Sequence, residues 1–157
     1  MRKANCLLLT LLLQLGTCGC SQTDELRFYY PRSEVQYGIP DGVIVPEARS
    51  IEGKDADLTL LLKLYLEGPI SHGLYSPFPH GTALESLSYA GGQLFIVLSE
   101  SFTSLENMDY MIACVCIAST CFGLTDADTV TVKTQHTSIS LTPDSLMLEA
   151  TNTATSP

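Results

Sequence analysis

Short stretches of alternating apolar and polar residues recur along the chain, and this period of two is typical of half-buried β-strands. In the first stretch, Leu26, Phe28 and Tyr30 share one face. The strongest stretch is a continuous apolar run at residues 94–98, directly after a Gly-Gly pair that favours a hairpin turn. The pattern predicts strands at residues 26–30, 43–45 with a continuation towards 51, 84–89, 94–98, 129–134 and 138–141.

Two longer stretches have the period of an α-helix. The first begins near residue 57 and places apolar residues at i, i+3, i+4 and i+7, and Gly68 followed by Pro69 ends it. The second runs from about residue 104 to 122, and Gly123 ends it. The apolar residues that mark one face of the second helix are Met108, Met111, Ile112, Val115, Ala118 and Phe122.

The order of these elements predicts the fold class. It is β-β-α-β-β-α-β, with one further strand at residues 138–141. We expect an α+β domain with a mixed or antiparallel sheet of five to six strands and two helices packed on one face. The segment at residues 71–82 is rich in Gly, Pro and Ser, and it predicts an ordered loop.

The start of the chain resembles a lipoprotein signal peptide. Arg2 and Lys3 precede an apolar run at residues 6–15, which is shorter than the about 20 residues that a membrane-spanning helix needs. Small residues then lead to cysteine; the alternative is a plain secretory signal that is cleaved without lipidation. The predicted organisation is a signal peptide at residues 1–20, a tether at 21–25, a domain at 26–142 and a flexible tail at 143–157.

Two cysteines compete for the lipid. Cys20 has Gly19 before it and Ser21 after it, and these are the usual neighbours of a lipidated cysteine. Cys18 is the alternative, because Leu15 stands three residues before it. Lipidation adds enough acyl chain for stable anchoring. It predicts a protein on the outer, extracytoplasmic face of the cell membrane.

The charge of the chain excludes some partners. The formal net charge is −9, and removal of Arg2 and Lys3 with the signal leaves six basic and seventeen acidic residues, hence −11. Such a domain would not bind nucleic acid through phosphates. It would also be repelled by an anionic membrane surface, so the lipid anchor has to hold it there.

Three cysteines follow the signal: Cys114, Cys116 and Cys121. They fall in the second predicted helix, where positions 114 and 121 are about 10 Å apart along the axis, beyond the reach of a disulfide. Positions 114 and 116 point to different faces. We therefore expect small core thiols, with an intermolecular disulfide as the alternative.

The sequence has no pattern that predicts catalysis. None of the three histidines is in a metal-binding spacing, and there is no nucleophile elbow, phosphate loop or dinucleotide fingerprint. His72 and His80 share one loop, for which a solvated loop is the simpler interpretation. We expect no catalytic residue, no metal site and no cofactor, and hence no enzyme.

Several motifs together resemble the GerMN domain of sporulation and germination proteins. Residues 62–69 read LKLYLEGP, residues 78–84 read FPHGTAL, and residues 92–99 read GQLFIVLS. The likeness covers roughly residues 26–134 and includes FYYP at 28–31, VPEAR at 45–49 and VTV at 130–132. Leu98 and Cys121 depart from the family pattern. The resemblance implies an α+β module outside the cytoplasm that binds or assembles, with no catalytic residue to carry over.

Two functions remain open. The first is a non-catalytic, membrane-anchored module that acts through protein partners in the cell envelope, in sporulation or spore germination; exposed strand edges would also allow a homo-oligomer. The second is an extracytoplasmic binding module for a small ligand or a cell-wall glycan. The candidate binding residues for either function lie in the Gly/Pro-rich loop: Ser76, His80, Gly81 and Thr82.

Overall fold

The computed structural model describes residues 25–34, 42–50 and 57–147. The predicted signal peptide with Cys18 and Cys20, most of the tether and the tail from residue 148 lie outside these residues. The described elements, in chain order, are β1 (Leu26–Pro31), β2 (Ile44–Arg49), α1 (Leu58–Leu66), β3 (Leu84–Ala90), β4 (Gln93–Leu98), a 3₁₀ turn (Glu100–Ser104), α2 (Asn107–Leu124), β5 (Thr129–Lys133), β6 (Ser138–Leu141) and α3 (Pro143–Met147).

The predicted α+β class is confirmed, but the strands form two sheets instead of one. Strands β1 and β2 form an antiparallel pair, and the other four form a sheet in the order β3-β4-β5-β6. The larger sheet is mixed, because β4 and β5 run parallel with α2 as the connection between them. The edge of β1 does not meet a strand of the larger sheet. Its Tyr29 N–H donates instead to Oγ1 of Thr120 in α2, at 2.9 Å.

The larger sheet has one buried and one open face. The buried face carries Leu94, Ile96, Val130 and Val132, all at most 1% exposed, and α1 and α2 contact the sheet on this side. The predicted hairpin between β3 and β4 is present, with positive φ angles of 58° and 77° at Gly91 and Gly92. Two such residues are what a type I′ turn requires.

An aromatic cluster joins β1 to α1. The Tyr65 ring lies 5.4 Å from the Phe28 ring, 5.0 Å from Tyr30 and 5.1 Å from Phe78, measured between centroids. Two hydrogen bonds between side chain and backbone fix the pair: the Tyr30 hydroxyl donates to Tyr65 O at 2.7 Å, and the Tyr65 hydroxyl donates to Tyr29 O at 2.9 Å. Burial raises the pKa of both hydroxyls, so they stay protonated donors.

The outer edge of β2 is poorly suited to strand addition. Arg32 N–H donates to Val43 O at 2.9 Å, and Tyr29 is in register with Pro46. Since hydrogen-bonded and non-hydrogen-bonded pairs alternate, the backbone of Pro46 faces the outer edge. Proline has no N–H, so this edge lacks a donor there. Self-association through strand edges stays a prediction, and β2 is a weak candidate for it.

Two boundaries differ from the prediction. The second helix begins at Asn107 and not near residue 104, because Glu100–Ser104 forms a separate 3₁₀ turn. The segment predicted as a flexible tail begins with α3, where the Ser145 N–H donates to Thr142 O at 3.1 Å and the Thr142 N–H donates to Ser145 Oγ at 2.9 Å. Leu146 packs against the core, so the ordered domain extends past residue 142.

The link between β1 and α2 is testable at Thr120, which is fully buried. Thr120→Val keeps the shape of the side chain but leaves the Tyr29 N–H without an acceptor, and we expect a loss of about 1–3 kcal/mol in the free energy of unfolding. Urea denaturation measures it. Thr120→Ser keeps the hydroxyl, so it should be less destabilising than the valine variant; the reverse order would contradict this assignment.

Candidate functional site

The four candidate loop residues do not converge on one site. Thr82 N–H donates to Pro79 O at 3.1 Å, and the φ of Gly81 is 85°, so residues 79–82 form a tight turn that favours glycine at its third position. The Ser99 hydroxyl holds this turn by donating to Gly81 O at 3.2 Å and accepting from Ala83 N–H at 2.9 Å. These hydrogen bonds explain the Gly81 and Thr82 positions by the shape of the turn, without a bound ligand.

A cleft of about 350 Å³ lies between this loop and the start of α2. One wall is the segment at residues 75–79, which includes Ser76, and the other carries Leu105, Asp109 and Ile112. Of the candidate residues, Ser76 lines the cleft, whereas His80, Gly81 and Thr82 form the turn beyond it. The pKa of Tyr75 is raised by burial and by the negative charge of Asp109.

Helix α2 is apolar on both sides. The buried side consists of small residues with one isoleucine: Ala113, Cys114, Cys116, Ile117, Ala118, Thr120 and Cys121. The opposite side, here called the outer face of α2, consists of Met108, Met111, Ile112, Val115, Ser119 and Phe122. Met108 is 70% exposed and Met111 is 40% exposed, and the other four are half-buried.

This arrangement corrects the sequence interpretation of α2. The apolar face that the sequence marks is largely the outer face, and Ala118 is its one member that is fully buried. The small residues on the other side let α2 approach β1 and the sheet closely, so they form the core contact. Sequence reasoning missed the outer face as a candidate site. The signal was present, because Asp109 is the single charged residue in the 18 residues of α2.

By length and composition α2 could also cross a membrane. In this domain it packs as a core helix instead, with a hydrogen bond to β1 and seven buried residues.

Exposed acidic residues stand at both ends of α2. Glu106 and Asp109 lie at its start, and Asp126 and Asp128 follow its end. An 18-residue helix is about 27 Å long. Negative charge therefore stands at both ends of the helix, although the Asp128 side chain lies beside Gly92 in the β3–β4 hairpin.

A second and larger groove, of about 830 Å³, lies beside β2 and contains Glu47 and His72. Glu47 is 4% exposed, and both of its carboxylate oxygens have partners. Oε2 is 2.6 Å from the Arg49 guanidinium, and Oε1 accepts from the N–H groups of Ile70 and Ser71 at 3.0 and 2.6 Å. It is thus held by the fold and does not project as an acid or base.

The pKa of Glu47 follows from these partners. Burial acts to raise it, but hydrogen bonds from Ser71 and Arg49, together with the positive charge of Arg49, outweigh burial and hold the pKa below its usual value. Sequence reasoning missed this pair. Both residues point inward because Glu47 is in register with Phe28 and Arg49 with Leu26.

Arg49 connects several elements at once. Its guanidinium donates to Gly68 O at 2.6 Å and lies 4.9 Å from the centroid of the Phe28 ring. Gly68 has a φ of 100°, which ends α1 and turns the chain towards the loop. Arg49 therefore fixes the direction in which the loop leaves the helix.

Within residues 25–34, 42–50 and 57–147, no group of three or more His, Cys, Asp or Glu side chains is arranged to hold a metal ion. His72 lines the larger groove, and His80 lies in the turn after the cleft.

The Arg49–Glu47 pair can be tested by substitution. Arg49→Met leaves a buried carboxylate without its countercharge, and we expect a loss of about 3–5 kcal/mol in the free energy of unfolding, measured in urea. Arg27→Met is the matched control, since Arg27 is exposed on β1, and it should change the stability by less than about 0.5 kcal/mol.

The same pair predicts a dependence on pH. The folded-state pKa of Glu47 lies below the ordinary value of 4.5 that the carboxyl has in the unfolded chain. The contribution of the Glu47 carboxylate to the free energy of unfolding is complete above the unfolded-state pKa. It is lost as the pH falls through the folded-state pKa. Glu47→Gln should remove this part of the acid sensitivity; an unchanged stability profile between pH 5 and pH 2 would argue against the assignment.

The three buried thiols give a further prediction. Burial raises the pKa of Cys114 to about 11, that of Cys116 to about 12 and that of Cys121 further still. All three are fully buried and free of disulfides. Since the thiolate is the reactive form, a maleimide should not label them in the folded protein at neutral pH and should label all three in urea. Rapid labelling of the folded protein would contradict the burial.

The comparisons with known proteins agree with this fold. A family described as "Germane: Sporulation and spore germination" matches residues 27–134. No curated protein sequence matches. Among solved structures, the chain is similar to the tandem GerMN domains of the sporulation protein GerM from Bacillus subtilis, with 22% identity and a TM-score of 0.50.

That structural match covers 71% of this chain and 39% of the GerM chain, so it supports the fold of one domain and not the activity of the whole relative. The resemblance to the GerMN domain is confirmed. Because the family match extends over well more than half of the chain, this protein belongs to the Germane family, which is associated with sporulation and spore germination.

Proposed function

We propose that this protein is a membrane-anchored, non-catalytic module that binds another protein in the cell envelope during sporulation or spore germination. The observation that carries the proposal is the exposed apolar outer face of α2. Met108 and Met111 are exposed, and the half-buried Ile112 and Val115 continue the apolar surface along the helix. Exposed apolar side chains that adjoin one another often mark an interaction site, and Met side chains adapt to varied partners. The family match supports the biological setting.

The direction of the chain supports presentation away from the membrane. Leu26 begins β1, and Tyr29 lies beside Thr120 near the end of α2. At the other end of β1, Pro31 O accepts from Tyr75 N–H at 3.1 Å, beside the cleft. If Cys20 carries the lipid, the tether to Leu26 spans at most about 20 Å. The cleft and the start of α2 therefore lie at the end of β1 that is farther from the attachment point.

A second candidate function is binding of a neutral cell-wall glycan on the open face of the larger sheet. The register places Phe95 between Ser88 and Thr131, and Thr131 beside Ser140, with 2.8 Å between their hydroxyl oxygens. Ser88 and Ser140 are exposed on either side, Phe95 is half-buried, and Thr131 is buried beneath them. Exposed hydroxyl groups beside an aromatic ring suit an uncharged polyol. We rank it second because hydroxyl-rich faces are also ordinary solvated sheet surfaces.

Site-specific photo-cross-linking in living cells tests the first function. A photo-reactive residue in place of Met108 should form adducts with a defined envelope or sporulation protein. The same residue in place of Ile70, which is 75% exposed elsewhere, should form none. A Cys20→Ala strain, which lacks the favoured lipid site, should lose the adducts because the domain is no longer held at the membrane.

Three results would count against the proposal. Equal adducts from both positions would mean that the outer face of α2 has no special role. No protein adduct, together with glycan fragments that co-purify, would favour the second function. Adducts that persist in both the Cys20→Ala and the Cys18→Ala strain would contradict the proposal that a lipid anchor holds the protein beside its partner.

A further inference from the structure

We infer that the partner of the outer face of α2 is a helix of another protein that carries an apolar stripe with basic residues at both ends. This inference rests on the proposed function and specifies the chemistry of the partner. The geometry of α2 determines the shape of the partner segment. The negative charges at the two ends of α2 determine that the ends of the partner segment are positively charged.

The spacing along α2 suits a helix. Met108, Val115 and Phe122 are seven residues apart, and Met111 and Ile112 fill the intervening turn. A seven-residue repeat of apolar side chains is the pattern through which helices pack side by side. From Met108 to Phe122 the stripe is about 21 Å long, so an apolar helix of about that length would cover it from end to end.

The cleft extends this surface at one end. Its far wall includes Tyr75, which is 43% exposed, and its near wall includes Ile112. Tyr75, Met108 and Met111 thus bring three of the large exposed apolar side chains of the described residues to the start of α2. A large side chain at the end of the partner helix would fill the cleft.

The bracketing acids argue for basic residues on the partner. The exposed Glu106 and Asp109 stand at one end of the stripe, and the exposed Asp126 stands beyond the other, whereas the Asp128 side chain lies beside Gly92 in the β3–β4 hairpin. Lysine or arginine at both ends of the bound helix would meet them at the rim of the contact, where charge complementarity guides association and excludes wrong partners.

The same charges disfavour two other occupants. In an antiparallel contact between two copies, the acidic start of one α2 would face the acidic end of the other. A bilayer surface is disfavoured because helices that lie in an interface carry basic residues on their polar side, and α2 carries none. Anionic lipid would repel Glu106 and Asp126.

Designed peptides test the inference directly. The probe is a helical peptide as long as α2, with leucines at heptad spacing and lysines at both ends. The matched control peptide has glutamates in place of the lysines. The full lipidated protein is held in nanodiscs of phosphatidylcholine. We expect the lysine peptide to bind at least about tenfold tighter than the glutamate peptide, measured by fluorescence anisotropy.

Variants locate the contact. Met108→Ser combined with Met111→Ser should abolish binding of the lysine peptide, whereas Ile70→Ser, an equally polar change at another exposed position, should not. Glu106→Lys combined with Asp126→Lys should reverse the preference towards the glutamate peptide. Equal binding of both peptides, or equal loss in the Ile70 variant, would overturn the inference.

Two further results would replace it with another occupant. If sedimentation shows a dimer that Met108→Ser with Met111→Ser converts to monomer, the occupant is a second copy. If a dye attached through Met108→Cys is quenched by bromine-labelled lipid, the occupant is the bilayer; the buried thiols leave that cysteine as the accessible label site. If neither peptide binds but position 108 still cross-links to a protein in cells, the partner segment is not a helix of this kind. That result would overturn the inference and leave the proposed function standing.

Discussion

Arg49 joins parts of the chain that are far apart in sequence, and the cleft depends on it. Its guanidinium reaches Glu47 on the same strand, the Gly68 carbonyl at the end of α1 and the face of the Phe28 ring. Glu47 in turn accepts the first N–H groups of the loop. A buried pair of this kind adds little net stability compared with apolar residues, but it tolerates few alternative geometries. It therefore determines where the loop starts, and the loop forms one wall of the cleft.

The second constraint is that α2 is apolar on two sides and has one core to fill. Small residues occupy the inner side, so β1 can approach closely enough for the Tyr29 N–H to reach Thr120. Larger residues such as Met108 could not fit there without overpacking. The larger apolar residues are consequently left on the outside. Both features have the same cause, which is the placement of small residues on the inner side of α2. It allows β1 to approach closely, and it leaves the larger apolar residues on the outer face.

The sequence predicted the elements better than their assembly. Alternation located β1, the glycine pair located the hairpin, and Gly68 with Pro69 located the end of α1, because each signal is local. The division into two sheets depended on which group would accept the Tyr29 N–H, and no local pattern contains that information. The inward Arg49 was missed because a charged residue on an alternating strand is normally placed outside, and its partners lie at residues 47 and 68. At α2 the apolar pattern was identified correctly, but it could not show which of two apolar sides meets the core.

Charge and apolar surface have separate roles on this domain. At the ionic strength of a cell, the field of an acidic surface acts over about 8 Å, so it biases which molecules approach and in what orientation. Under the proposed function, affinity has to come from contacts that exclude water, and the outer face of α2 would supply these without a charge of its own to desolvate. A partner selected in this way need not bind tightly. If both proteins are held at one membrane, the second contact is effectively intramolecular, so a modest apolar stripe suffices where it would not in free solution.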